Sequence, residues 1–227
     1  MSLDTTRCET ITVDSYGTLV DPSAAERALA DTIDDPRPVS DLWRTRSLFY
    51  TMVSNYVDAY QSFYEMNRDA LQYALETHAV EVSADQRDEI LSVYHELDPF
   101  EDVRSGIERL IEGGYDVYVL SNGNPEMLTS MVTHADLDDL IADTISAHEI
   151  ETFKPHVEIY RHAAGRTGTP IRNITHVAGP SFDVQGAMHA GMQGVWLNRK
   201  GGSWDPFASD PDSTVETFHD VADELGV

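Results

Sequence analysis

Strand-like and helical segments alternate through most of this sequence, and that alternation limits the possible folds more than any other feature. Short runs rich in apolar and β-branched residues occur at 10–13, 115–120, 144–146, 174–178 and 195–197. Later segments have the three- and four-residue apolar spacing of helices, at 103–111, 125–134, 157–164 and 184–190. Strands that alternate with helices form a parallel sheet with helices on both faces. The sequence therefore predicts an α/β fold.

A long helical stretch separates the first predicted strand from the others. Apolar residues recur at helical spacing from about residue 22 to residue 97, and Asp98-Pro99 then breaks the pattern. We therefore predict an α/β core domain from residues 1–20 and 99–227, with a helical cap domain formed by the inserted residues 21–98. Residues 201–213 are rich in Asp, Pro and Gly and are predicted as an irregular loop before a last amphipathic helix.

Polar residues follow several predicted strands at the ends where ligands usually bind. Asp14 follows the first strand, Ser121 follows the second, and Lys154 and Asp183 come shortly after two others. Ligands of an open parallel sheet bind outside the carboxyl ends of the strands. Two carboxylates, a hydroxyl and a lysine are therefore expected at one edge of the sheet, and the inserted helices are placed to close over them.

The charge of the chain restricts its partners. The sequence has 15 Lys and Arg against 40 Asp and Glu, a net charge of −25, and only Lys154 and Lys200 are lysines. Nucleic-acid binding needs a basic footprint, so we expect no nucleic-acid partner. An acidic, lysine-poor surface resembles that of proteins from extreme halophiles, where molar salt shortens the Debye length to about 3 Å and screens self-repulsion. An ordinary acidic protein is the alternative.

Other features favour a cytoplasmic protein without bound metal. No apolar run approaches the roughly 18 residues of a membrane span, and the segment MSLDTTRCET lacks the apolar core of a secretion signal. Cys8 is the single cysteine, which excludes an intramolecular disulfide and a cysteine-based metal cluster. The histidines lack metal-ligand spacing such as HExxH. We interpret five of them as surface or core polar residues: His148, His156, His162, His176 and His189.

Four motifs, in order, resemble the haloacid dehalogenase superfamily. They are VDSYGTLVD, VLSNGNP, FKP and FDVQGA. They match the superfamily's nucleophilic aspartate, its Ser or Thr, its lysine and its final acid, and their spacing matches over the whole chain. The resemblance implies a Rossmann-like parallel-sheet core with an inserted helical cap.

Within the superfamily, the chain is most similar to type II, or L-2-haloacid, dehalogenases. The superfamily's phosphatases carry a second aspartate two residues after the nucleophile, where this chain has Tyr16. In the cap, Arg44 matches the substrate and halide arginine of the dehalogenases, and Phe63 matches an aromatic residue of their halide pocket. Lys154 is followed six residues later by Tyr160, as in their lysine and tyrosine pair.

The resemblance implies hydrolysis of short 2-haloalkanoic acids, which are small anions. Asp14 would attack the halogen-bearing carbon and form an ester, Lys154 would keep Asp14 ionised, and water near Asp183 would hydrolyse the ester. The predicted catalytic set is Asp14, Lys154, Asp183, Ser121 and Thr18. The predicted substrate and halide set is Ser15, Tyr16, Arg44, Phe63, Asn122, Tyr160, Ser181 and Phe182. The resemblance implies no metal or cofactor, and it makes a homodimer possible through the tyrosine-rich cap face: Tyr50, Tyr56, Tyr60 and Tyr64.

The last motif departs from that of these dehalogenases. They carry a Ser and an Asn shortly before the final acid, where this chain has Ala178 and Pro180. A lost hydrogen bond costs about 1–3 kcal/mol, so two losses could slow ester hydrolysis by about 10²-fold or more. Ser181, one residue further along, could substitute for the missing donors.

Two alternatives therefore stay open. One is a Mg²⁺-dependent phosphatase of a small phosphorylated metabolite, with Asp14 and Asp183 as metal ligands; Tyr16 argues against it. The other is a hydrolysis-impaired relative retained as a binding protein, which Ala178 and Pro180 favour.

Overall fold

The strands of the protein form a parallel sheet. The computed structural model describes residues 3–207 and 209–227. The strands are β1 (Thr10–Val13), β2 (Asp116–Ser121), β3 (Asp143–Ser146), β4 (Ile174–Ala178), β5 (Gln193–Leu197) and β6 (Ser213–Val215). Their order in the sheet is β3-β2-β1-β4-β5-β6, with parallel pairing throughout. The predicted α/β fold class is confirmed.

Helices fill most of the remaining chain, and five of those in the described residues come between β1 and β2, four of them within residues 21–98. The helices are α1 (Ala24–Ala30), α2 (Pro36–Val57), α3 (Phe63–Thr77), α4 (Ala84–Ser92), α5 (Val103–Glu112), α6 (Pro125–His134), α7 (Val157–Thr167), α8 (Ser181–Ala190) and α9 (Phe218–Leu225). Within the inserted segment, α2 packs against α3. Capping boxes at Ser62 and Ser83 start α3 and α4 by satisfying backbone N–H groups of the first turn.

The two central strands are buried along their whole length. Every residue of β1 and of β4 is buried, as expected for strands that lie inside a parallel sheet. Thr12 of β1 and His176 of β4 are polar exceptions to this apolar pattern, and the two residues are directly opposite each other in the register. Their hydrogen-bonding groups must therefore be satisfied by neighbouring protein groups.

The loops after β1 and β4 approach each other closely. Gly17 has a φ of 85°, in the left-handed region that favours glycine. A Cβ atom on Gly179 would lie 2.6 Å from the carbonyl oxygen of Gly17, so a larger residue does not fit there. The two glycines allow both loops to reach the same edge of the sheet.

Two segments differ from the sequence prediction. Helix α8 begins at Ser181 rather than at residue 184, because Pro180 takes the N-cap position with extended backbone angles. Asp183 therefore lies inside the first turn of α8, and Pro180 rather than Asp183 occupies the N-cap position. Strand β6 was not predicted, since residues 201–213 were assigned to a loop; it is a three-residue edge strand paired to β5.

Throughout residues 3–207 and 209–227, no helix combines the length and the apolar character needed to cross a bilayer.

Candidate active site

A lysine bridges two carboxylates at the carboxyl edge of the sheet. Lys154 Nζ lies 2.9 Å from Asp14 Oδ1 and 2.6 Å from Asp183 Oδ2. The side chains of Lys154, Asp14 and Asp183 are only 2%, 10% and 1% exposed. With both carboxylates ionised, the three side chains carry one net negative charge in a site largely shielded from water.

Asp14 is held from its other side by the loop that follows β1. The Thr18 hydroxyl donates to Asp14 Oδ2 at 2.8 Å, and it accepts from the backbone N–H of Gly179 at 2.9 Å. Asp14 therefore has a donor on each carboxylate oxygen. Thr18 also ties the loop after β1 to the loop after β4, which fixes the spacing between Asp14 and Asp183.

Burial and charge shift the pKa values of the three groups in different directions. Burial raises the pKa of Asp14 above its usual range, although Lys154 opposes that shift. Burial also acts to raise the pKa of Asp183. The charge of Lys154 and, second, the contact with His176 lower it more strongly, so the pKa of Asp183 lies below its usual range. Burial would lower the pKa of Lys154, but the two carboxylates raise it. Lys154 is therefore a cation and Asp183 an anion at neutral pH.

The end of β2 contributes hydroxyl and amide groups. The hydroxyls of Ser121 and Ser15 share a hydrogen bond of 2.6 Å, and Ser121 Oγ accepts from the backbone N–H of Gly123 at 3.0 Å. Asn122 Oδ1 accepts from the backbone N–H of Lys154 at 2.9 Å. These contacts place the loop that carries Lys154 against the end of β2.

A cavity of about 110 Å³ opens above Asp14 and Lys154. That volume equals about four water molecules at roughly 30 Å³ each in the liquid, so it suits a compound of a few heavy atoms. The predicted site residues that line it are Asp14, Tyr16, Arg44, Phe63, Ser121, Asn122, Lys154 and Phe182. The helices of the inserted segment therefore supply part of the wall.

Aromatic side chains form one wall of the cavity. Tyr16 stacks on Phe63 with ring centres 6.0 Å apart, and its edge meets Tyr94 at 5.6 Å. Burial raises the pKa of Tyr94 to about 12 and also raises that of Tyr16. Both phenols are therefore neutral at physiological pH and can act as hydrogen-bond donors.

Two buried polar atoms in this wall lack a hydrogen-bond partner among the residues that the structure describes. They are the hydroxyl of Tyr16 and Nδ2 of Asn67, whose Oδ1 accepts from Ser47 at 2.7 Å. Buried donors without partners are costly.

Arg44 of α2 brings a positive charge to the cavity. It is half-buried and makes no ion pair with any described residue, in a chain that has many carboxylates. An adjacent pocket of about 290 Å³ shares Arg44 with the cavity and is also lined by Arg199 and Lys200. Arg199 pairs with Asp102 at 2.6 Å, so Arg44 and Lys200 make this pocket favourable for an anion.

Other predicted residues lie behind the cavity or beside it. Thr18, Ser15 and Asp183 contact the groups that line it without lining it themselves. Tyr160 is buried, and its hydroxyl donates to Asp183 Oδ1 at 2.7 Å. Ser181, the first residue of α8, is only half-buried and does not line the cavity, so the structure does not bring it to a substrate.

Three residues near the site were not proposed from the sequence. His176 was interpreted as a surface or core polar residue, but its Nε2 lies 3.1 Å from Asp183 Oδ1. Asn67 lines the cavity. Asn55 of α2 exchanges two hydrogen bonds, of 2.8 and 3.0 Å, with the backbone of Phe153, directly before Lys154. Two signals in the sequence could have identified residues of this group. His176 is a polar residue within a buried strand, and Asn67 is a polar residue on an apolar helix face.

The donors at this site do not fit a divalent metal. Among residues 3–207 and 209–227, no group of three His, Cys, Asp or Glu side chains is arranged to hold one. The Asp14 and Asp183 oxygens that face each other are both bonded to Lys154 Nζ. A cation between the carboxylates would therefore have to displace the ammonium group.

Comparison with known proteins assigns the chain to a family that is consistent with this site. The model of the haloacid dehalogenase-like hydrolases matches residues 8–191, and the chain belongs to that family. Within it, the chain is 33% identical over 189 residues to (S)-2-haloacid dehalogenase 4A of Burkholderia cepacia, covering 83% of this chain and 82% of the relative. The resemblance seen in the sequence motifs is thereby confirmed.

Solved structures of dehalogenases have the same fold. One, a dehalogenase in an intermediate complex, is 29% identical with a TM-score of 0.90, and the match covers 95% of this chain and 96% of the other. The L-2-haloacid dehalogenase of Xanthobacter autotrophicus with chloropropionic acid covalently bound is 23% identical with a TM-score of 0.90, covering 96% and 98%.

Proposed function

We propose that this chain hydrolyses short 2-haloalkanoic acids to 2-hydroxy acids through an ester on Asp14. One observation carries the proposal: Lys154 bridges Asp14 and Asp183 at the base of a small cavity that also holds Arg44. The (S)-2-haloacid dehalogenases among its relatives support the same substrate class.

In the first step, an oxygen of Asp14 bonds to C2 of the substrate. The carbon–halogen bond breaks, and the halide leaves with the bonding electron pair. Asp14 is suited to this attack because Lys154 and Thr18 orient its two oxygens. The halide and the substrate carboxylate are anions, and Arg44 is a cation of the cavity wall that, unlike Lys154, makes no ion pair with the described residues and can hold one of them.

In the second step, water adds to the carboxyl carbon of Asp14. The bond from that carbon to the ester oxygen breaks, and this oxygen, which came from Asp14, leaves in the 2-hydroxy acid with one water proton. The other water proton passes to solvent, and the water oxygen stays on Asp14. Asp14 is regenerated as a carboxylate. Lys154 is the cation next to Asp14, so we assign it to the stabilisation of the negative charge that develops in this step, while Asp183 holds Lys154 in place.

The decisive experiment is glycolate release from bromoacetate, in molar KCl with EDTA present. Measuring the organic product avoids the chloride background. Sustained release supports a metal-independent dehalogenase. Release of inorganic phosphate from phosphorylated metabolites only when Mg²⁺ is added would instead support the phosphatase alternative. A stoichiometric ester on Asp14 that does not turn over would support the binding-protein alternative.

Replacing Arg44 by Ala is expected to raise KM for bromoacetate by about 10- to 100-fold, because a charge-assisted contact to an anion is lost. Initial rates of glycolate release measure this. Arg46→Ala is the matched control, since Arg46 lies two residues further along α2 and packs on Tyr73 outside the cavity. Equal KM values in the two variants would contradict the role assigned to Arg44.

The first step is expected to slow at acid pH. The pKa of Asp14 is raised by burial, and only its ionised form attacks, so the rate should fall as the pH drops through that raised value. The midpoint is expected above about 3.9, the value of an ordinary aspartate. Bromide release in a single turnover measures the step, with circular dichroism at each pH to detect unfolding. A midpoint below 3.9 would contradict the argument.

The helical segment at 21–98 is proposed to act as a cap domain over a core of residues 1–20 and 99–227. Two features support this: Arg44 and Phe63 reach the cavity from that segment, and Asn55 bonds the backbone next to Lys154. A cytoplasmic location and a halophilic source stay predictions that rest on the sequence.

A homodimer is proposed through the outer face of α2. The exposed apolar residues of that face follow helical spacing: Phe49, Val53, Tyr56 and Val57, with Tyr56 91% exposed. Of the tyrosines predicted for this face, Tyr50, Tyr60 and Tyr64 are half-buried against the core instead. Light scattering over a range of concentrations tests the proposal.

A further inference from the structure

His176 lies behind the active site, between a threonine and Asp183. It is fully buried on β4, opposite Thr12 in the register of β1. Its Nδ1 lies 2.9 Å from the Thr12 hydroxyl oxygen, and its Nε2 lies 3.1 Å from Asp183 Oδ1. Nε2 has no well-aligned hydrogen-bond partner among the residues that the structure describes. A buried ring nitrogen therefore faces the carboxylate of Asp183 at contact distance.

The surroundings determine which ring nitrogen carries the proton. A lone pair on Nε2 would face the negative charge of Asp183, whereas an N–H there is attracted to it. The Thr12 hydroxyl can donate to Nδ1, which leaves Nε2 as the protonated nitrogen, because the partner of one ring nitrogen sets the state of the other. Thr12 thus makes His176 a donor directed at Asp183.

His176 is also the polar residue on the face of β4 that is directed towards Asp183. Side chains two apart in a strand lie on the same face, so His176 shares its face with Ala178, which has no hydrogen-bonding group. Pro180 follows with neither a side-chain donor nor an N–H. Tyr160 packs edge-on against the His176 ring at 5.8 Å and bonds the same oxygen of Asp183. Asp183 is therefore oriented from behind by His176 and Tyr160.

This orientation matters most while the ester exists. In the free enzyme, Asp14 and Asp183 both hold the Lys154 ammonium. Once Asp14 is esterified it is neutral, so Asp183 becomes the remaining carboxylate that fixes Lys154. The position of Lys154 at the ester then depends on the groups that hold Asp183.

We propose that His176, with its tautomer set by Thr12, is a positioning residue for hydrolysis of the Asp14 ester and acts through Asp183. It supplies the polar support for Asp183 that Ala178 and Pro180 do not. This inference rests on the proposed function, because it concerns the second step of that reaction.

The test separates the two chemical steps in His176→Phe, which keeps a planar ring without a donor. Bromide release in a single turnover reports ester formation, and intact-protein mass spectrometry follows decay of the carboxymethyl ester after substrate is removed. We expect ester decay to slow by about 10- to 100-fold, the effect of one lost polar contact to a buried charged group. Ester formation and kcat/KM should stay within about twofold of wild type.

Further variants keep the inference testable if His176→Phe does not fold. His176→Gln retains a donor near the position of Nε2 and should recover part of the hydrolysis rate. Thr12→Val removes the group that sets the tautomer and should slow ester decay in the same direction. His189→Phe, exposed on α8, is the matched control and should leave both steps unchanged.

The outcomes are distinct. Unchanged ester decay in folded His176 variants would overturn the inference and leave the proposed function intact, and so would an equal loss in both steps. If wild-type protein releases no bromide and forms no ester, the proposed function fails, and the inference fails with it.

Discussion

Asp14→Asn is expected to lower glycolate release from bromoacetate by at least about 10⁴-fold, as removal of a catalytic nucleophile typically does. An amide does not carry the charge needed to displace the halide. Bromide release and the Asp14 ester should both disappear, since both depend on the first step. Product formation, single-turnover bromide release and intact mass measure these three effects on one preparation.

The loss should not result from unfolding. The pKa of Asp14 is raised in the folded protein, so at pH values above the unfolded pKa its ionised form destabilises the fold, and an amide relieves that cost. We therefore expect a Tm no lower than that of wild type. Asp116→Asn, at an exposed position of β2, is the matched control. Substantial dehalogenation by Asp14→Asn would rule out an ester on Asp14.

The sheet was predictable because its central strands are short, apolar and separated by clear helical patterns. The bounds of β1, β4 and α6 agree with the sequence prediction to the residue. β6 was missed because a three-residue strand is too short to show an alternating pattern, and its place is set by pairing with β5. The start of α8 was placed three residues too late because the apolar pattern was followed only from Val184, although the helix begins at Ser181.

Part of the candidate site could be predicted from the positions of residues relative to the strands. Asp14 and Ser121 each terminate a parallel strand, so their approach follows from the sheet. Lys154 follows β3 at a greater distance, and the FKP motif was needed to assign it. His176 could not be assigned in this way, because its role depends on the register of β4 against β1 and on the return of α8 over that face.

The residues of the helical segment at 21–98 were likewise only partly predictable from the sequence. Spacing predicted its helices, and the resemblance identified Arg44 and Phe63. The contacts of Asn55 with Phe153 and the position of Asn67 in the cavity depend on how α2 and α3 dock on the core. Such docking contacts have no periodic signal in a single sequence.

Lys154→Met is expected to remove activity and also to destabilise the fold, which distinguishes it from Asp14→Asn. Met has a similar length without the charge, so Asp14 and Asp183 would be left as two buried carboxylates without their cation. Removing one partner of a buried ion pair typically costs about 3–5 kcal/mol. We expect a loss of that size at neutral pH and a fall in glycolate release of at least about 10³-fold.

The pH dependence of the stability difference identifies its cause. In wild type, the pKa of Lys154 is raised, so its contribution is present below the unfolded lysine value of about 10.4 and disappears as the pH rises through the folded value. The pKa of Asp183 is lowered, so its contribution is present above about 3.9 and is lost as the pH falls. In Lys154→Met, no lysine cation opposes the effect of burial on Asp14 and Asp183, so their protonated, neutral forms are favoured. The free-energy difference between variant and wild type should therefore shrink as the pH is lowered from 7 towards 4.

Urea unfolding of both proteins at several pH values measures this difference. Lys200→Met is the control for stability, because it removes the other lysine at an exposed position. It should change the free energy of unfolding by less than about 0.5 kcal/mol. A Lys154→Met variant whose destabilisation is the same at pH 4 and pH 7 would mean that the loss comes from packing, and that Lys154 is not what keeps Asp14 and Asp183 ionised.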